Sequence, residues 1–284
     1  MVFDRPLRAA RFTALVAVLS FAGVISAAAA PIIQESGWSL VRTVSINNPN
    51  SATYNPVDGL LYVAVTTSEA TDGGLYRINA DGTNTKVAAG ERPVGVVVDP
   101  STGNVFYAEP GFPGAIYRHV LGTSGPGELW VSGFHSGDDD TIGLAFAPSN
   151  YTGAHLLPGQ AVVVDEGTGG PDELWGWNFG TSQGEFAIHQ DNGTSPLVQG
   201  VDVAVSSTDI WIADVDGQAI WQVTAAGGLV QLATSVALGA VAAITVDPIT
   251  GDLVVMDKTS DEVLRIDPYT GAVSVMFSGF SFID

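Results

Sequence analysis

The chain has 284 residues, of which 30 are acidic and 10 basic, so its formal net charge at pH 7 is −20. A surface this acidic repels phosphate groups, which argues against nucleic acids and anionic membranes as partners. Cysteine is absent. No disulfide can therefore support the fold, and stability must come from sheet packing.

The N-terminus has the organisation of an export signal. Three arginines within 1–11 precede an apolar stretch, 12–25, and a run of small residues, 26–30. We predict a signal peptide at 1–29, because the apolar stretch is shorter than the roughly 20 residues that span a bilayer. An uncleaved anchor is the alternative. The mature protein is expected to be secreted, periplasmic or at the cell surface, with no membrane insertion.

One sequence phrase recurs five times after the N-terminal region. Each copy has an apolar run ending near Asp-Pro, a turn, a second apolar run ending in an acid, and a third run with an aromatic residue. The copies span approximately 51–92, 93–140, 141–196, 197–239 and 240–280. Their lengths are typical of four-stranded units of about 40 to 45 residues. We predict strands almost everywhere, including a fourth strand such as 185–189, within one domain at 31–284.

The second copy allows a comparison with known repeats. VVVDPSTGNVFYAEPGFPGAIYRHVLGTSG, from Val96 to Gly125, resembles the YWTD and NHL class of β-propeller repeat. That class has the pattern Asp-Pro, Gly, an apolar-aromatic strand, an acid, then Ile-x-Arg and Leu-x-Gly. The resemblance extends over 51–280 and implies an all-β propeller of four-stranded antiparallel blades.

The number of blades depends on the two ends of the chain. WSLVRTVSI at Trp38–Ile46 reads as an extra strand, and GFSFID at Gly279–Asp284 echoes the first strand of the second copy. We therefore predict six blades with an incomplete or shared sixth, and five complete blades as the alternative. An open sheet edge is an aggregation hazard, so either the N-terminal strand closes the ring or the reading frame lacks its last hairpin.

Acids that end the second strand of each copy are the best candidates for ligand binding. They are Glu109, Asp165, Glu166, Asp214 and Asp257. Equivalent strand ends surround one axis in a propeller, so these carboxylates could bind a divalent cation such as calcium. We favour a different role, in which each acid accepts N–H groups of the following turn. No cofactor and no metal ligand is therefore assigned.

Catalytic patterns are weak. Gly180–Gly184 matches G-x-S-x-G, but its neighbours are predicted strands, whereas a nucleophile elbow needs a strand-to-helix turn. The histidines occupy different positions in different copies and lack metal-ligand spacing. They are His119, His135, His155 and His189. No catalytic residue is assigned.

Two further residue types invite specific expectations. An arginine recurs at one repeat position, as Arg77, Arg118 and Arg265, and in so acidic a chain we expect it to pair with carboxylates. Trp177 is the tryptophan that we predict to be exposed, and it is the best candidate to contact a sugar ring.

Three classes of function compete. Repetition without a convergent polar set favours a monomeric, exported, non-catalytic propeller that binds a protein, glycan or other ligand through loops at one end. The alternative is a metal-dependent lactonase or esterase resembling the gluconolactonase family, although that family's ligand set cannot be matched residue by residue. A lyase resembling the streptogramin-inactivating propellers is third, since its expected catalytic histidine is lacking.

Overall fold

The computed structural model describes most of the chain from residue 44 onward and two short segments before it. The described residues are 20–21, 32–33, 44–46, 48–66, 73–90, 92–109, 114–132, 141–165, 172–177, 185–190 and 195–279. The predicted signal peptide lies outside them except for 20–21. In this part of the chain no helix is long and apolar enough to cross a membrane.

The fold is a five-bladed β-propeller. Three short strands come first, namely β1 (Ser20–Phe21), β2 (Ile32–Ile33) and β3 (Ser45–Ile46). Blade 1 consists of β4 (Pro49–Asn55), β5 (Leu60–Val65), β6 (Gly74–Ile78) and β7 (Asn84–Ala89). Blade 2 consists of β8 (Gly95–Val98), β9 (Val105–Glu109), β10 (Ala115–His119) and β11 (Glu128–Ser132). Blade 3 consists of β12 (Thr141–Phe146), β13 (Ala161–Asp165), β14 (Glu173–Trp177) and β15 (Glu185–His189).

The last two blades follow the same plan. Blade 4 consists of β16 (Gly200–Val205), β17 (Ile210–Asp214), β18 (Ala219–Val223) and β19 (Leu229–Gln231). Blade 5 consists of β20 (Val241–Val246), β21 (Leu253–Asp257), β22 (Glu262–Ile266) and β23 (Val273–Ser278). Within every blade the strands pair antiparallel in chain order. The first strand of each blade packs beside the first strand of the next, from β4 to β20, so these strands form the inner wall of the ring.

The prediction of six blades is wrong. Of the predicted extra strand Trp38–Ile46, the described residues include Ser45–Ile46, which pairs parallel with β1 in a separate two-stranded sheet. Ile32–Ile33, which was not part of that prediction, pairs antiparallel with β23 as a fifth strand of blade 5. Residues 280–284 lie outside the described part. β2 therefore extends blade 5, and β1 with β3 forms a sheet of two short strands that is not a blade.

Apolar faces are buried between neighbouring blades. Tyr62 and Ala64 of β5 pack with Val96, Val105 and Tyr107 of blade 2. Comparable clusters join blades 2 and 3, blades 3 and 4, and blades 4 and 5. Because β5 is covered on both faces, it is a continuous apolar run and does not alternate with polar residues.

The seam between blade 5 and blade 1 is built differently. Ile46 of β3 packs on Leu61 and Val63 of blade 1, whereas β2 covers the outer edge of blade 5. None of the core clusters formed by the described residues contains both blades. The N-terminal segment therefore contacts both sides of this seam.

Repeated turns connect the first and second strands of each blade. In blade 2, Asp99 Oδ1 accepts the N–H of Ser101 at 2.9 Å, as expected for an Asp that closes its own turn. In blade 1, Asn55 Oδ1 accepts the N–H of Val57 at 3.0 Å, and its Nδ2 donates to Gly103 O of blade 2 at 2.8 Å. The same turn chemistry thus also links adjacent blades. We call the end of the ring that carries these turns the lower end.

Candidate functional site

Asp214, one of the acids predicted to end a second strand, is a structural residue. It is buried, and Oδ1 accepts the N–H groups of Gln199 and Gly217 at 3.0 and 2.8 Å. Oδ2 accepts Val198 N–H at 3.0 Å and Trp221 Nε1–H at 2.9 Å. Four donors leave this carboxylate little capacity for a further ligand.

Asp257 has the same role in blade 5. Its oxygens accept the N–H groups of Gly239, Thr259 and Ser260 at 2.7, 2.9 and 3.2 Å. The favoured prediction, that these acids bind the N–H groups of nearby turns, is confirmed for Asp214 and Asp257. Each carboxylate therefore links two segments. One is the turn that follows its own strand, and the other is the connection that precedes its blade.

The structure does not bring the other acids predicted to end a second strand together with Asp214 and Asp257. Asp165 is buried at the end of β13, and Glu109 lies at the end of β9 with its carboxylate against Gly90 of blade 1. Glu166 lies outside the described residues. Within the described part of the chain, no three His, Asp or Glu side chains are placed to hold one metal ion.

An acid that the sequence analysis missed lies on the inner wall of the ring. Asp202 of β16 is partly buried, and its Oδ2 accepts the N–H of Ile244 from β20 at 2.9 Å. Oδ1 accepts the N–H of Val203 at 2.9 Å. Burial raises the pKa of Asp202 to about 7, although both hydrogen bonds oppose the rise. This carboxyl therefore changes charge near neutral pH.

Gly143 of β12 explains how Asp202 fits there. A Cβ atom on Gly143 would lie 2.6 Å from the Cα of Asp202, so only glycine permits this approach of two inner strands. The signal in the sequence was a single charge within the run GVDVAV. A charged residue inside a buried strand is rare unless it is partnered, and that rarity was the available clue.

Two cavities flank one turn at the seam between blades 3 and 4. The first depends on a long connection, 147–160, between the first two strands of blade 3, where blade 4 has only 206–209. Tyr151 and Leu156 of this connection are buried against Ile210 in the core shared by the two blades. The connection therefore packs as part of the structure and reaches over the neighbouring blade.

The first cavity has a volume of about 300 Å³ and a mainly polar wall, and we call it the lower cavity. Its wall includes Tyr151, His155, Asp209 and Gln222. Gln222 Nε2 donates to Asp209 Oδ1 at 2.7 Å, and His155 Nε2 donates to Thr224 O at 2.6 Å. Burial raises the pKa of the Tyr151 hydroxyl above its ordinary value.

The second cavity, of about 450 Å³, has residues 226–228 of the turn 224–228 in its wall, and we call it the side cleft. His189 Nδ1 is 2.9 Å from Gly227 O, and its Nε2 is 3.0 Å from Ser195 Oγ. A carbonyl oxygen only accepts hydrogen bonds, so Nδ1 must carry the proton. Nε2 of the neutral ring is then the acceptor for the Ser195 hydroxyl.

His155 and His189 thus contact the same turn at different residues, Thr224 and Gly227. Both histidines belong to the third repeat, 34 positions apart, whereas the turn belongs to the fourth. Their convergence depends on blade packing, which spacing along the chain does not show. His119 lies elsewhere, buried between blades 1 and 2 near Tyr62, where burial and then Arg77 lower its pKa. His135 lies outside the described residues.

The other predicted residues have structural positions. Arg265 Nη1 binds Asp247 and Asp252, each at 3.0 Å, and Arg118 pairs with Glu128, so the expected pairing is confirmed for these two. Arg77 instead donates to Asn79 Oδ1 at 3.2 Å. The expectation that Trp177 is exposed is wrong, because it is buried in the core between blades 2 and 3. Gly180–Gly184 lies outside the described residues.

Known structures share this fold at low sequence identity. One is a nidogen/laminin complex, with 14% identity, a TM-score of 0.62, and coverage of 81% of this chain and 79% of that chain. A putative gluconolactonase has 14% identity, a TM-score of 0.60, and coverage of 82% and 78%. Virginiamycin B lyase from Staphylococcus aureus has 16% identity, a TM-score of 0.54, and coverage of 84% and 71%. No protein-family model and no curated protein matches the sequence. At these identities the likeness shows the β-propeller fold and nothing more.

Proposed function

We propose that this protein is an exported ligand-binding propeller and that its ligand occupies the lower cavity between blades 3 and 4. The observation that carries the proposal is the connection 147–160, which walls a cavity beside the short turn 206–209. Loops on a rigid scaffold are the usual carriers of binding sites. A volume of about 300 Å³ is at the lower end of small-molecule sites.

The wall of the lower cavity favours a small, hydroxyl-rich ligand such as one sugar unit of a glycan. Asp209 offers a carboxylate acceptor, Gln222 an amide, and Thr208 a hydroxyl, all around the same space. Hydroxyl groups of a sugar both donate and accept, so they suit a wall of mixed polarity. The strongly acidic chain, with a net charge of −20, argues against an anionic ligand.

The comparisons are compatible with this proposal and with its competitors. The nidogen/laminin structure is a propeller in a complex, which is the behaviour we propose in general form. The lactonase alternative has the putative gluconolactonase as a fold neighbour. It lacks a specific observation here, because Asp214 and Asp257 have their oxygens occupied by N–H donors.

Saturation-transfer NMR with a panel of neutral monosaccharides and oligosaccharides tests the proposal. We expect binding by the wild type and at least about tenfold weaker binding by Asp209→Asn, which removes the charged acceptor while keeping its shape. Asp216→Asn is the matched control, since it removes the same charge from an exposed turn at the opposite end of blade 4. Equal loss in both variants, or no binding by the wild type, would refute the lower cavity as the site.

A further inference from the structure

We infer that Ser195 and His189 form a nucleophile–base pair in the side cleft, able to take the acyl group of a short-chain carboxylic ester. The inference does not rest on the proposed function, because the side cleft and the lower cavity share no residue of their walls. Ser195 Oγ and His189 Nε2 are 3.0 Å apart, within the range required of a serine and its general base.

The third component of the arrangement is a backbone carbonyl. Gly227 O, 2.9 Å from His189 Nδ1, performs the orienting task that a carboxylate performs in a Ser-His-Asp triad. Gly227 has a φ of +81°, and a Cβ atom there would lie 2.5 Å from Ile188 O. Glycine is therefore required at this position, and it fixes where the carbonyl meets the histidine.

The reaction would proceed in two balanced steps. Ser195 Oγ attacks the ester carbonyl carbon as its proton moves to His189 Nε2, and the alcohol then leaves with that proton. This leaves an acyl group on Ser195. Water next attacks the acyl carbon, His189 Nε2 takes the water's proton, and the carboxylic acid is released as the proton returns to Ser195 Oγ.

The surroundings of the pair define the kind of substrate. The wall of the side cleft is mostly polar, but Pro196, Ala187, Ala226 and Leu229 form a small apolar part of it. That apolar part suits a short acyl chain. Pro196 also lacks the N–H that the residue after a nucleophilic serine usually supplies to the oxyanion. We therefore expect slow turnover and an acylated serine that persists long enough to be detected.

Covalent labelling tests the inference. The full-length protein is incubated with p-nitrophenyl butyrate and, separately, with a fluorophosphonate, and the modified peptide is identified by mass spectrometry. We expect one modification, on Ser195, absent from Ser195→Ala. His189→Gln should lower the labelling rate at least about 100-fold, because its amide can still donate to Gly227 O but cannot take the proton.

A matched variant separates chemistry from structural support. Ser195 Oγ accepts the N–H of Leu197 at 3.2 Å, and Ser235→Ala removes an exposed serine whose Oγ also accepts a backbone N–H, from Val273, so this variant should label normally. The inference is overturned if Ser195 is not modified, or if His189→Gln labels within twofold of the wild type. Sugar binding by Ser195→Ala should be unchanged, so this test and that of the lower cavity can fail separately.

Discussion

Asp202 of blade 4 accepts a hydrogen bond from the N–H of Ile244 of blade 5, at 2.9 Å, across the inner wall of the ring. The carboxyl thus joins two inner strands that are otherwise held by apolar packing. Burial raises the pKa of Asp202 to about 7, so the charge on this carboxyl varies over the physiological pH range. The first prediction follows from the sign of that shift.

The folded protein should lose stability as the pH rises from about 4 to about 7. A carboxyl with a raised pKa binds its proton more tightly in the folded state than in the unfolded state, so folding is penalised once the proton is lost. The penalty at pH 8 has an upper bound of about 4 kcal/mol. Urea unfolding of the wild type and Asp202→Asn at pH 5 and pH 8 measures it as the difference between the two proteins.

Other groups contribute to the same pH profile. His119, whose pKa is lowered by burial, adds stability as the pH rises through its unfolded pKa and therefore opposes Asp202. Asp99 has a lowered pKa, despite its burial, because Thr102 and Ser101 donate hydrogen bonds to it, so its contribution is lost only in acid. Both remain in Asp202→Asn and cancel in the comparison. An identical pH dependence in the two proteins would contradict the role of Asp202.

The sequence predicted local features well and long-range ones poorly, for a physical reason. Each strand and turn is specified within its own repeat, and the predicted fourth strand 185–189 coincides with β15. The prediction of six blades depended on how the two ends of the chain pair, and the observed pairing of 32–33 with β23 joins positions that are far apart in the sequence. Likewise, His155 and His189 meet at the turn 224–228 only because blades 3 and 4 pack together. The one sign of the position of Asp202 in the sequence was its charge within an apolar strand.

The second prediction concerns Asp214. Asp214→Ala leaves four donors without their acceptor around a buried carboxylate, and we expect a loss of about 3–5 kcal/mol in the free energy of unfolding. Asp216→Ala, two positions further on and exposed, is the control and should change stability by less than about 0.5 kcal/mol. Chemical denaturation with a tryptophan fluorescence signal gives both values. Similar losses in the two variants would mean that Asp214 has no special structural role.

The third prediction tests how closely the inner strands approach. Gly143→Ala places a Cβ atom 2.6 Å from Asp202 Cα and 2.7 Å from Val164 Cγ1. Backbone atoms cannot move aside cheaply, so β12 and β16 should separate, with an expected loss of about 2–3 kcal/mol. Gly228→Ala meets only the Thr224 hydroxyl, at 3.3 Å, and should cost less than about 1 kcal/mol. If Gly143→Ala is as stable as the wild type, β12 and β16 do not approach each other this closely.

The fourth prediction concerns the seam between blades 5 and 1. A chain that begins at Pro31, the first residue of the predicted domain, keeps β2 and β3 but loses β1. A chain that begins at Asn47 also loses β2 and β3, which exposes the edge of β23 and removes Ile46 from Leu61 and Val63. Burial of one isoleucine alone is worth about 1.5–3 kcal/mol.

We therefore expect the chain beginning at Pro31 to unfold at nearly the same temperature as the complete chain. The chain beginning at Asn47 should unfold at least about 5 °C lower and associate through the exposed strand edge. Thermal unfolding and light scattering during size-exclusion chromatography measure these two effects. If the shorter chain is equally stable and monomeric, blades 5 and 1 close the ring by themselves. In that case β2 and β3 contribute nothing to closure, and the difference between this seam and the other four has no energetic consequence.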